Sequence, residues 1–257
     1  MREQGGLMAY STVVRTIDSS LVELEVDDSF KNRLSPWLGH IRYMPKYGGR
    51  ETTAEMWAFE LAPISSLGSG VFAVGGRERE RFKLNGGEVI VYDSSKLPDA
   101  RWAAWMGPWH MAHAMFYAPA WQSSDIAEFF NRVKFTDTPE GLTADTAGRF
   151  ELQLTAYTQH IAGVGSMQVE PKASSPNRIP SWRGLQGRTG EIWRLAQESA
   201  GAATPLLMAT QTAVATLNPW DVPRASQPGI PVRAAGVRAE ESAASFLTTI
   251  HRLDWRA

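Results

Sequence analysis

Two stretches of this chain carry the same apolar stripe, and any fold must bury both. In residues 125–134 (DIAEFFNRVK) the stripe is Ile126, Phe129, Phe130 and Val133; in 242–251 (SAASFLTTIH) it is Ala243, Phe246, Leu247 and Ile250. Each set runs i, i+3, i+4, i+7, the spacing of an amphipathic helix laid against a core. Asp125 suits the N-cap of the first helix with Glu128 three residues on, and Arg132 and Lys134 complement its dipole at the other end.

Around these helices the pattern is that of strands. Residues 12–17 and 21–26 flank an Asp18-Ser19 turn, and 55–61 is strand-like. Residues 71–74 read as a strand before a Gly75-Gly76 turn. Asn85-Gly86, a dipeptide suited to a type I′ turn, joins 77–84 to 88–92. In 77–83 the arginines and Lys83 alternate with Glu78, Glu80 and Phe82, as on a solvated sheet with cross-strand ion pairs. Residues 109–117 (WHMAHAMFY) are apolar on both faces, which predicts a central strand. Residues 149–157 and 161–169 read as an antiparallel pair, and 190–197 and 205–217 as further strands. Residues 1–9 are expected to be mobile, 171–180 a polar connector, and 218–236, with its four prolines, a long loop.

Strands followed by a helix therefore occur twice, over 55–137 and 149–254, after an N-terminal extension 1–54. The expected fold is α+β, a largely antiparallel sheet covered by two amphipathic helices at 125–134 and 242–251 in one compact domain spanning 1–257. The repetition admits an internal duplication of a strands-then-helix unit.

Composition excludes several function classes. Basic and acidic residues number 26 and 27, so no net field attracts nucleic acid or an anionic membrane. No apolar run approaches the roughly 18 residues that span a bilayer, and the N-terminus has no signal-peptide core. With no cysteine the chain forms no disulfide and does no thiol chemistry, as expected of a cytoplasmic protein. Ten tryptophans and ten phenylalanines predict an aromatic-rich core.

No motif names a reaction. His110 and His113 are the candidate catalytic pair, but an i, i+3 pair on a strand points to opposite faces, so a metal site is not expected. Trp102, Trp105 and Trp109 are candidate binding residues, since tryptophan rows stack sugars, bases or quaternary ammonium groups; Trp220 is a fourth. Core packing is the competing role for all of them. No nucleophile elbow and no phosphate-binding glycine loop is present. Asp137 and Asp254 fall at the same offset just after the two echoed helices, where a turn or cap hydrogen bond is the expected role. These features favour a non-enzymatic binding or assembly protein acting through surfaces and long loops, without cofactor, on a protein partner or a second copy of itself. A hydrolase or small-molecule enzyme using His110 or His113 with a carboxylate is the first alternative, and a phage or particle structural subunit the second.

Overall fold

A computed structural model describes residues 8–47, 50–51, 57–84, 86–117, 121–147, 150–196, 203–220 and 232–257. Along the chain these form β1 (Ala9–Arg15), β2 (Leu21–Asp27), β3 (Leu38–Tyr47), β4 (Arg50–Glu51), β5 (Trp57–Pro63), α1 (Leu67–Val74), β6 (Gly76–Leu84), β7 (Gly87–Ser94), β8 (Ala100–Met106) and β9 (His110–Tyr117). Then follow α2 (Ser123–Asn131), β10 (Lys134–Thr138), β11 (Gly141–Asp145), β12 (Phe150–Ile161), β13 (Gly165–Pro171), β14 (Leu185–Gln186), β15 (Glu191–Arg194), β16 (Leu206–Ala209), β17 (Ala213–Pro219), α3 (Val232–Thr248) and β18 (Ile250–Arg256). No helix among the described residues is long and apolar enough to cross a membrane. The segments 1–7 and 221–231, within the stretches expected to be mobile or looped, lie outside the described residues.

The chain divides into two compact units. A terminal unit holds Met1–Val14, Ser20–Trp37 and Ala156–Ala257; a central unit holds Arg15–Ser19 and Leu38–Thr155. In the central unit the strands lie in the order β3-β5-β9-β8-β7-β6, all antiparallel. The strand 109–117, expected to be central, is β9, between β5 and β8. Both sheet faces are buried, so these strands read as near-continuous apolar runs. On one face Phe59 stacks on Phe129 of α2 at 5.2 Å, and Trp105 meets Phe135 of β10 at 4.6 Å. On the other, Ala62, Ile90, Tyr92, Trp102, Ala104 and Met111 form a cluster on which Leu67, Val71 and Val74 of α1 pack.

The terminal unit repeats this order as β12-β13-β17-β16-β15-β14, with α3 leading into β18, which pairs with β2. The registers repeat too. Glu88 faces Met106 and Met106 faces Met111; Glu191 faces Ala209 and Ala209 faces Val214. The hairpin turns close identically, Gly107 N donating to His110 O and Thr210 N to Ala213 O, each at 2.9 Å. A short stretch of sequence follows: Gly87-Glu88-Val89-Ile90 corresponds to Gly190-Glu191-Ile192-Trp193.

The expected α+β fold, a sheet covered by two helices at 125–134 and 242–251, is corrected. Among the described residues the fold is mostly β, 52% strand against 22% helical. The layer over each main sheet is a helix that breaks into a strand: α2 stops at Asn131 and β10 starts at Lys134, α3 stops at Thr248 and β18 starts at Ile250. The last apolar residues of each stripe, Val133 and Ile250, are therefore buried beyond the helix ends. The cap also moves: Asp125 is the third helical residue, and its carboxylate accepts the Gln122 amide at 2.8 Å in a capping box.

Residues 71–74, expected as a strand, belong to α1. A four-residue window of valine, phenylalanine and alanine suggests a strand, but Leu67, Val71 and Val74 recur at helical spacing over the longer segment. Gly75 ends the helix at φ 61° in the left-handed region, where a glycine is least strained.

Candidate functional site

The central and terminal units share strand order and register, so positions where they differ chemically stand out against a common scaffold. His40 faces Glu60 across β3–β5, and Glu60 faces His113 across β5–β9. Register places all three on one sheet face. His40 Nδ1 lies 3.9 Å from Glu60 Oε1, and His113 Nε2 lies 3.6 Å from Glu60 Oε2. The corresponding row of the terminal unit is Thr158, Gln168 and Thr216, which carries no titratable group.

Trp102 Nε1 donates to His113 Nδ1 at 3.2 Å. An accepting Nδ1 leaves the proton of the neutral ring on Nε2, directed at Glu60. A protonated Nε2 is not a metal ligand, and among the described residues no three His, Asp or Glu side chains are arranged to hold a metal ion. Burial pulls the His113 pKa below the ordinary imidazole value, the Glu60 carboxylate opposes this, and His40 adds to the lowering.

His110 points to the opposite face from His113. Its Nδ1 lies 2.7 Å from Asp137 Oδ1, while Asp137 Oδ2 accepts the backbone amides of Trp109 and His110 at 2.8 and 3.0 Å. The Asp137 side chain is only 2% exposed. The geometry resembles half a catalytic triad, but the terminal unit argues for a turn brace. There Asp254 accepts the Thr212 hydroxyl at 3.3 Å, in the equivalent hairpin turn, and Ala213 stands where His110 does. Neither His110 nor His113 is bonded to a hydroxyl nucleophile among the described residues.

The tryptophans separate. Trp105 is buried against Phe135 and Trp102 beneath α1, whereas Trp109 and Trp220 are partly exposed, Trp220 with its ring 5.4 Å from His160. Trp102 and Trp105 lie on opposite faces of β8, and no ligand platform gathers these four rings.

Beside α1 in the central unit lies an open, shallow cavity of about 540 Å³, lined by Leu67, Val71 and Phe72 of α1, by Tyr92 and Lys96, and by three glycines. Phe72 stands 83% exposed. Lys96 Nζ donates to the carbonyl of Ala73 at 2.7 Å and lies 5.6 Å from the Phe72 ring centre, yet forms no ion pair among the described residues. The Tyr92 hydroxyl is pushed above its ordinary pKa, first by burial and then by the nearby carboxylates of Glu78 and Glu88, so it remains a donor at neutral pH.

In the terminal unit a polar network replaces α1 over the equivalent strands. Buried Glu170 accepts from Gln168 at 2.7 Å, Ser175 at 2.6 Å and Arg178 at 2.5 Å, and Arg178 also donates to Thr216 at 2.7 Å. Sequence reasoning misses the cavity residues because 71–74 alone present a strand-like pattern; the spacing of Leu67, Val71 and Val74 is the available signal. It also misses Glu60 and His40, for which no local signal exists. Comparison of the chain with protein-family models, curated proteins and solved structures finds no match.

Proposed function

We propose that this is a non-enzymatic binding protein that holds a small amphipathic anion, an alkyl or aryl carboxylate, in the open cavity beside α1. The volume lies in the range of ligand pockets, about 300–1,000 Å³, and the walls are apolar with few polar groups. The observation that carries the reading is Lys96, an exposed ammonium on an apolar wall whose partners are the C-terminal carbonyls of α1 and no carboxylate among the described residues. An uncharged apolar ligand would strip water from that ammonium uncompensated; one with an anionic head would pair with it. Tyr92 adds a hydroxyl donor.

Displacement of an apolar fluorescent probe by decanoate and by decanol tests this. Decanoate displaces it at about tenfold lower concentration, a difference of about 1.4 kcal/mol. Lys96→Met removes that preference and leaves decanol unchanged. Failure of both compounds to compete overturns the proposal.

A second reading, self-association, is favoured by a separate feature. Trp182 is 65% exposed and Leu185 70% exposed at β14, the outermost strand of the terminal unit's sheet. Two exposed apolar side chains at a sheet edge offer a contact to a second copy.

A further inference from the structure

We infer that His113 is a proton-operated latch on the cavity, which empties the site when the imidazole takes up a second proton; this rests on the binding function proposed above. The device is the hydrogen bond from Trp102 Nε1 to His113 Nδ1 at 3.2 Å. Indole nitrogen only donates, and a doubly protonated imidazole only donates. Protonation at Nδ1 therefore sets two N–H groups against each other and expels one partner.

Trp102 is the partner whose displacement reaches the cavity. Its ring lies 5.1 Å from His113 on one side and 5.3 Å from Tyr92, a cavity wall, on the other. Above it sits α1: a Cβ built on Gly70 would lie 3.2 Å from Trp102 Cζ2. Nothing larger than glycine fits there without a shift, so a tryptophan that moves must carry α1 or Tyr92 with it. Those two elements hold Leu67, Val71, Phe72 and Tyr92 around the ligand.

The titratable groups facing His113 are Glu60 from β5 and His40 from β3. Glu60, 3.6 Å from Nε2, favours the imidazolium through its charge; His40, once charged, opposes it. Burial outweighs the carboxylate, so the transition lies below the ordinary imidazole value. The terminal unit has Thr216 in place of His113 and Pro205 in place of Trp102, so the device belongs to the central unit alone.

Two measurements on the full chain test the latch, one of them without ligand. Decanesulfonate, whose charge does not change in this range, is titrated between about pH 8 and about pH 5, where imidazole changes charge. Hydrogen exchange of residues 67–74, expressed relative to the intrinsic amide rate at each pH, is followed over the same range. Affinity falls about tenfold in acid, one unit of coupling between protonation and binding, and exchange in α1 accelerates. His113→Gln, which still offers an acceptor to Trp102, and Trp102→Phe, which removes the donor, each abolish both effects. His40→Gln leaves them in place.

Exchange that accelerates in acid while no anion binds at any pH supports the latch and overturns the binding function. Binding that is independent of pH, with unchanged exchange in α1, overturns the latch and leaves the binding function standing. The wild-type exchange profile decides the matter even where a variant fails to fold.

Discussion

Asp137 and Asp254 perform one task with different partners, and the difference sets their energetic weight. Asp137 is buried and accepts two backbone amides and an imidazole; Asp254 is more exposed and accepts one hydroxyl at 3.3 Å. Hydrogen bonds to charged groups contribute about 1.5–3 kcal/mol each. Asp137→Ala is expected to cost about 3 kcal/mol or more in chemical denaturation and Asp254→Ala about 1 kcal/mol. Equal costs would show that the two carboxylates do not differ in this way. His113 carries a pH signature at the same scale. Because burial lowers its pKa in the folded state, the unfolded chain binds the proton more readily. Stability is therefore full above the ordinary imidazole value of about 6.5 and declines as pH falls below it toward the lowered folded value. His113→Gln flattens that part of the stability profile; an unchanged profile would exclude His113 as its source.

At the scale of elements, α1 is the piece that distinguishes the central unit. It is a short helix with two glycines, stopped by Gly75 and capped by Lys96, and it rests on Trp102. Its Gly68 lines the cavity, and a Cβ added there meets nothing within 4 Å. Gly68→Leu should fill the cavity mouth and abolish probe binding, while better helix propensity raises stability by up to about 1 kcal/mol. Retained binding would place the ligand elsewhere. The edge strands also differ. In β6 a bulge between Glu78 and Glu80 breaks the simple alternation of charges, so Arg81 pairs with Glu78 at 2.9 Å and also with Glu88, while Arg79 meets Asp93 at 3.2 Å. That charged strand resists pairing with another chain. The two-residue β14 carries no charge of its own and has Arg183 and Arg188 on either side.

For the whole molecule the edge at β14 sets the expected association. Light scattering over a range of concentrations is predicted to find a concentration-dependent dimer, which Leu185→Lys abolishes by placing a charge on the edge. A monomer at every concentration would exclude this contact, and a large closed assembly would favour a particle subunit. Two units with one strand order also explain where the sequence could be read. The strand signals at 88–92 and 190–197 and the apolar strand β9 are legible because each is local; Asn85 of the Asn85-Gly86 signal lies outside the described residues. Asp137 and Asp254 share an offset after the two helical stripes, and each accepts a hydrogen bond from its own hairpin turn, as expected of a turn role.

The sequence by itself determined the strand-rich segments around 77–92 and 109–117, the two helical stripes and the aromatic core, because periodicity and turn chemistry act over a few residues. Only the tertiary structure decided that 67–74 is a helix, since its apolar spacing matters once Trp102, Tyr92 and Met111 provide a surface for it. Only strand pairing brought His40, Glu60 and His113 into one row, from three strands that no local pattern connects. Register across a sheet is set by non-local hydrogen bonding and burial, and a one-residue slip would turn each of these side chains to the other face.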